Sequence, residues 1–592
     1  MTIPEAATYL NNPGQPTLPV VIKKYTFPQG TIINLVNCEP KTFYEKTIKN
    51  ALHFAQKPLS YLSGANTQPT KKDDTVYSSD SLYPSTFFDY QIGVGFNGDE
   101  HVTYLTVFFY PVRYVPAKNL LTYTTDVAIT INYQEPSSQK SLASTYDLVI
   151  IAPREFQKPL QKLVTHKNQM GIKTNLVTTQ EIYRTYEGRD QPEKIKYFIK
   201  DAIEEWGTQY VLLVGGMKGQ RFWSWYVPVR YSNLDDDSDF ETQYISDLYY
   251  ADIYKYDTVT GYTFDDWDSN GNGIFAEWNN QSKDVLDMYP DVCIGRLPCQ
   301  YLWEVKPLVD KIINYETTTY GQPWFKTMAG VGGDSFDDKN TTDYMEGQIE
   351  SGQALNFTSD FNHIRIWVEG GDVTLTTENM ISTLSEGQGF VYFTGHGNPG
   401  LWGTHPHDNF TTWINFNLKS IKKLTNGEKL PIVIVGGCHN CQFDVSLLKE
   451  GKTARYRGEN VQKCWGWTYA SLRSGGSIAT IGNTGLGYGT TGDGPETPDE
   501  IPGAVPDGIP DCIQYLGGWL EPHFFEVYHN QSKDILGKAH MQTLIDYLNQ
   551  FKINWSLNWM DAKVGPTLVD CKTVQQWVLL GDPSLKIGGY PS

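Results

Sequence analysis

The chain lacks an excess of basic residues: its net charge is −19 at neutral pH and its pI lies near 5.0. That excludes nucleic acid and anionic membrane surfaces as partners, because both reward clustered Lys and Arg. It also lacks any run of about eighteen apolar residues, so nothing in it reads as a membrane-spanning helix. Cysteine is scarce, 8 in 592 residues, and if one serves as a free nucleophile an odd number remains, which defines no disulfide framework. The opening Met1-Thr2-Ile3-Pro4 lacks the basic and apolar regions of a secretory leader. Either the protein is cytosolic or a leader has been removed. Six Asn-x-Ser/Thr triplets, at Asn280, Asn340, Asn356, Asn409, Asn530 and Asn554, favour removal and an extracellular or cell-surface location. What is present, 40% hydrophobic and 14% aromatic residues, is ample for roughly three or four packed domains.

Two short segments carry the chemistry. Phe393-Thr394-Gly395-His396-Gly397 and Val435-Gly436-Gly437-Cys438-His439-Asn440 each follow an apolar run of strand type, Phe390 to Phe393 and Ile432 to Val435. A histidine and a cysteine are thus delivered at the ends of two strands expected to be parallel, the place where open α/β sheets put their sites. A thiolate attacks an amide carbonyl, but a free thiol with a pKa of roughly 8.5 is mostly protonated at neutral pH, so an imidazole must activate it or protonate the leaving amine. The pair reads as nucleophile Cys438 and general acid/base His396, with the N–H groups of Gly397 and Cys438 as an oxyanion site. Two other readings stay open. Cys438, His439 and Cys441 with His396, His405 and His407 would also suit zinc, and a strand-end cysteine can be inert core.

Around these segments the chain divides. Positive and negative residues balance over residues 1–143, so the whole −19 falls after them. The shift coincides with a polar link, Glu135 to Ser141. Before it, Thr103 to Phe109 and Val127 to Tyr133 alternate with the period of half-exposed strands, which predicts a β-sandwich. After it, Tyr146 to Ala152, Thr174 to Val177 and Tyr210 to Val214 read as strands separated by helices at Phe156 to Met170 and Ile195 to Trp206. This βαβ series predicts a mostly parallel sheet covered on both faces, in two subdomains, 144–322 and 323–592. An insertion in the first carries Asp266, Asp268, Asn270, Gly271, Asn272 and Glu277, a fit to the D-x-[DN]-x-[DN]-G-x5-E pattern of a structural Ca2+ loop. A second acidic stretch, Asp493 to Asp511, fits no such template.

The blocks Gly395-His396-Gly397, Trp402-Gly403-Thr404, Leu424-Thr425-Asn426, Leu430-Pro431 and Gly437-Cys438-x-Asn440-x-x-Phe443 resemble the gingipain-like cysteine peptidases, which carry a caspase-like fold. So do Tyr146 to Pro153, Tyr210 to Gly216, Gly295-Arg296-Leu297-Pro298 and Gly581-Asp582-Pro583-Ser584-Leu585, in the same order. In the first 143 residues, Gly14-x-Pro16-x-Leu18-Pro19-Val20 and Tyr110 to Pro116 resemble the family's prodomain. The resemblance implies a zymogen whose N-terminal domain inhibits the enzyme. It also implies Asp334 as the acid that orients His396, and Asp343 as the pocket acid selecting Arg or Lys before the cut bond. With such a pocket, Lys140-Ser141 in the link becomes a site of self-cleavage, and Lys71-Lys72 a pocket-filling inhibitor.

The expected protein is a secreted cysteine endopeptidase with protein or peptide substrates. Two rivals remain: a sortase-like transpeptidase using the same acyl-enzyme, and a catalytically silent binding protein stabilised by zinc or calcium.

Overall fold

The computed structural model describes residues 3–61, 70–137, 145–238, 240–336, 345–407, 409, 411–491 and 509–591. Leu148–Ala152 and Tyr210–Val214 are unbroken runs of aliphatic and aromatic residues buried on both faces, as a parallel sheet between helices demands. They form a four-stranded parallel sheet, in the order Thr174–Thr178, Leu148–Ala152, Tyr210–Val214 and Cys293–Leu297. The helix Gln157–Gln169 and the Asp190-capped helix Gln191–Trp206 return the chain between strands.

The second sheet has seven strands, in the order Val373–Thr374, Asn362–Trp367, Thr327–Gly332, Phe390–Phe393, Ile432–Val435, Ala479–Asn483 and Trp577–Leu580. All pairings are parallel except the last. From Thr327–Gly332 the chain winds outward one way, then returns to Phe390–Phe393 and winds the other way. The winding therefore reverses between these two strands, and the carboxyl ends beside such a switch point open into a crevice. The two sheets meet edge to edge where a Cβ on Gly295 would lie 2.5 Å from the Gly581 carbonyl oxygen, so only glycine permits the approach. Beside it, the buried Arg296 guanidinium pairs with Asp247 and donates to the carbonyls of Gly215, Val227 and Pro228.

The N-terminal unit is strand-rich, as expected. Thr8–Tyr9, Pro19–Pro28, Glu100–Phe109 and Phe88–Asn97 form an antiparallel sheet. Its Val21, Leu105, Val107 and Phe109 pack against Val36 and Cys38 of the facing ribbon, Ile32–Pro40 with Val127–Gln134. The opposite face of the hairpin is buried on the second unit. Tyr104 stacks on Tyr289 at 5.2 Å, the Thr106 hydroxyl donates to Asn549 at 2.7 Å, and the Phe96 N–H donates to the Pro290 carbonyl.

Candidate active site

His396 and Cys438 lie at the ends of the adjacent strands Phe390–Phe393 and Ile432–Val435, as the sequence predicts. Asn440 ties their two loops together. Its amide donates to the carbonyls of Asn398 (2.8 Å) and Leu401 (2.9 Å), and a Cβ on Gly397 or Gly437 would lie 2.3 or 2.2 Å from its Oδ1. These glycines are therefore required by close packing. After Cys438 the chain turns through His439 in the left-handed region, φ 56°.

Both residues are buried. The Gly487 N–H points at Cys438 Sγ from 3.3 Å, and burial pushes the thiol up to about 12. Burial likewise pushes His396 down to about 4. Its Nε2 meets the Ser335 carbonyl oxygen at 2.6 Å and its Nδ1 meets the Tyr61 carbonyl oxygen at 2.7 Å. Two carbonyls are satisfied together only by an imidazolium. Burial is the larger effect and holds the imidazole down against the two carbonyl contacts, which raise it.

Tyr61 belongs to the N-terminal unit. Leu59–Ser60 adds as an antiparallel strand to Tyr488–Gly489, and the Tyr61 N–H donates to the Gly487 carbonyl at 2.9 Å. The side chain, 3% exposed, fills a pocket beside the dyad. Its ring stacks on Phe336 at 5.0 Å, and its hydroxyl donates to Glu350 Oε1 at 2.7 Å. Glu350 Oε2 accepts the Thr394 hydroxyl. Behind it, Glu521 accepts from Tyr392 at 2.9 Å. Burial pushes Glu350 up to about 7; burial, then the Glu350 charge, holds Glu521 well above the usual carboxylate range.

The pocket rim is anchored by a buried ion cluster. Lys572 Nζ pairs with Asp236 and Glu241. Glu241 accepts the Leu486 N–H at 2.9 Å and stands 3.4 Å from His439 Nε2, while Asp236 accepts the Tyr488 hydroxyl at 2.7 Å.

Several expectations are corrected. The group on His396 Nε2 is the Ser335 carbonyl, whereas the Asp334 carboxylate faces His405 Nδ1 at 3.7 Å and the Asp334 N–H donates to the His405 carbonyl. The shift is one residue: side chains alternate along an extended segment, and Asp334 points to the other side. Lys71 and Lys72 are exposed; the Lys71 carbonyl lies against Gly14 and Lys72 Nζ sits 5.1 Å from the Tyr77 ring centroid, and the segment in the crevice is Leu59 to Tyr61. Asp343 and Lys140 lie outside the described residues. Zinc is not favoured by the geometry. All eight cysteines are buried free thiols, and among the described residues no three His, Cys, Asp or Glu side chains converge as ligands.

In the loop expected to take Ca2+, Asp268 accepts the N–H groups of Asn272 and Gly273, both at 3.0 Å. Asn270 and Asn272 turn their side chains onto Glu277. Asp266 instead pairs with Arg189 at 2.9 Å, and Arg189 also bonds Asp268.

Tyr61, Ser335, Glu350, Glu521, Gly487 and Glu241 were not foreseen from sequence. Only the Leu486-Gly487-Tyr488-Gly489 turn carried a signal, a glycine pattern after a strand.

Residues 141–588 match the model of peptidase family C25, and residues 1–150 match the C25 propeptide. Gingipain R2 of Porphyromonas gingivalis is 24% identical over 302 residues, which is 50% of this chain and 32% of that protein. Gingipain R1 of the same organism is 23% identical over 304 residues, 51% of this chain and 24% of that protein. The chain thus spans about a third or less of the length of these relatives. The crystal structure of the Arg-specific cysteine proteinase gingipain R aligns at a TM-score of 0.48 and 18% identity, over 77% of this chain and 80% of that one. The complex of Porphyromonas gingivalis RgpB pro- and mature domains aligns at 0.46 and 20%, over 74% and 79%. With a family match over most of its length, the chain belongs to peptidase family C25 and carries that family's propeptide at its N-terminus.

Proposed function

We propose that the chain is a cysteine endopeptidase held latent by its own N-terminal domain. The observation that supports this most is the strand Leu59–Ser60 with Tyr61: it lies in the crevice as a substrate would, with a backbone carbonyl on His396 and a side chain in the adjoining pocket. Extended peptides bound by main-chain pairing with one side chain in a pocket are a standard recognition mode.

In this reading, displacement of Tyr61 frees His396 Nδ1 while Nε2–H stays on the Ser335 carbonyl. Nδ1 takes the Cys438 proton as the sulfur attacks the substrate carbonyl carbon, and the oxyanion is received by the Gly397 and Cys438 N–H groups. The C–N bond breaks as His396 returns the proton to the leaving amine. Water, giving its proton to Nδ1, then cleaves the thioester. A transpeptidase would share the acyl-enzyme and pass it to an amine; product analysis with and without added amine separates the two. A preference for Arg or Lys rests on Asp343.

We further propose an extracellular location, supported by sequons at the exposed Asn280, Asn356 and Asn530. Among the described residues no helix is long and apolar enough to cross a membrane. The loop at Asp268 offers oxygen donors of the kind Ca2+ takes, from Asp268, Asn270, Asn272 and Glu277 once the two amides present oxygen. Its role would be to fasten the insertion.

The test is hydrolysis of chromogenic peptides by a full-length Tyr61→Gly chain beside the same chain with Cys438→Ala. Hydrolysis that vanishes with the thiol supports the reading, and hydrolysis that persists removes it.

A further inference from the structure

We propose that the pocket beside the dyad selects tyrosine as the residue whose carbonyl is attacked, with Glu350 receiving the phenol hydroxyl; this rests on the peptidase reading of Cys438 and His396. A substrate residue in that position must bring its carbonyl to the dyad, and among the described residues of the N-terminal domain it is Tyr61 whose carbonyl lies on His396 Nδ1 while its N–H bonds Gly487. Its pocket is therefore the one that reads the residue before the cut bond.

Three features of the pocket match a phenol. The width is set by Gly489, where a Cβ would lie 2.4 Å from Tyr61 Oη and 2.7 Å from Cζ, so any larger residue would close the slot to a ring. One wall is Phe336, stacked at 28° to the Tyr61 ring, and the His396 ring meets its edge at 79°. The end is Glu350 Oε1, which accepts the hydroxyl at 2.7 Å.

A basic side chain fits less well. Arginine recognition is strongest when both carboxylate oxygens meet the guanidinium fork, and here Glu350 Oε2 is taken by Thr394. Glu521 is engaged by Tyr392 and Asn483 and packs on Gly436. A single carboxyl oxygen at the end of an aromatic slot suits a neutral hydroxyl. Phenylalanine would enter the slot but leave that oxygen without a donor, a buried loss that discriminates against it.

The experiment uses the full-length Tyr61→Ala chain, whose pocket is vacated, with peptidyl acyloxymethyl ketones ending in tyrosine, phenylalanine, arginine or lysine. The rate of adduct formation on Cys438 is read by intact mass. We expect tyrosine to react fastest, about tenfold faster than phenylalanine, as one hydrogen bond to a carboxyl group warrants. Adding Glu350→Ala should abolish the preference of tyrosine over phenylalanine, while labelling of Cys438 by iodoacetamide stays within about twofold, which shows an intact fold; Glu350→Gln, which keeps an acceptor, should preserve the preference. Faster labelling by arginine or lysine, or equal rates for tyrosine and phenylalanine with Glu350 present, would overturn the proposal and leave the peptidase reading standing. If no ketone labels Cys438 although iodoacetamide does, the peptidase reading fails, and this proposal with it.

Discussion

The carbonyl oxygen of Tyr61 lies 2.7 Å from Nδ1 of His396, and the Ser335 carbonyl holds the other ring nitrogen. A residue of the N-terminal domain thus occupies the crevice and engages one ring nitrogen of His396. In the proposed reading latency has two parts: this plug, and the burial that raises the Cys438 thiol and lowers the His396 imidazole.

The first prediction concerns the plug. The Tyr61 side chain anchors the segment by stacking on Phe336 and bonding Glu350, and losing a buried aromatic typically costs about 3–5 kcal/mol. Tyr61→Gly should raise peptide turnover by the uncleaved chain at least about tenfold. Unchanged turnover would mean that the prodomain blocks the site by other contacts.

The second concerns the thiol. Burial raises Cys438 from an ordinary value near 9 to about 12 in the closed form. A raised pKa leaves the closed form's stability whole below the free value and removes it as pH climbs from 9 toward 12, because the released thiol ionises and the buried one does not. Alkylation of Cys438 by iodoacetamide at pH 8 should be slow in the wild-type chain and faster by about a hundredfold in Tyr61→Gly. Peptide-mapped labelling against pH measures both effects.

A third follows from Lys572, buried between Asp236 and Glu241. Lys572→Met leaves two buried carboxylates facing each other without a cation, a loss of about 3–5 kcal/mol. Denaturant unfolding should report it. Activity should fall too, because Glu241 holds the Leu486 N–H on the rim of the pocket.

Much of this was legible in the sequence, and the reason is local. The strands Tyr210–Val214, Phe390–Phe393 and Ile432–Val435 are continuous apolar runs bounded by glycine and polar residues, and each is found at the expected residues. The proposed pair, His396 and Cys438, lies three residues beyond the ends of two such runs, at Phe393 and Val435. The pocket was not legible, because Glu350 sits on the helix Glu346–Phe357 amid ordinary helical sequence, and Tyr61 reaches it from another domain. No spacing rule joins residues 289 positions apart. Asp334 failed for a smaller reason, a one-residue difference that exchanges a side chain for a backbone carbonyl.

The fourth prediction separates the two registers of the calcium-type loop. Chelation should lower the melting temperature of the wild-type chain by a few degrees, and added Ca2+ should restore it. Asp268→Ala should abolish the response, and Asp266→Ala should retain it, since the N–H groups of Asn272 and Gly273 close on Asp268 and not on Asp266. The reverse pattern would restore Asp266 as the first ligand.

The central claim is that Cys438 carries the acyl group. The direct measurement is intact-mass analysis of the full-length Tyr61→Gly chain, quenched with acid within the first turnovers of a peptide ester. A thioester adduct should map to Cys438, accumulate in a burst, and be absent from the Cys438→Ala form. Hydrolysis at an undiminished rate in that form, with no adduct on the wild-type thiol, would contradict the account.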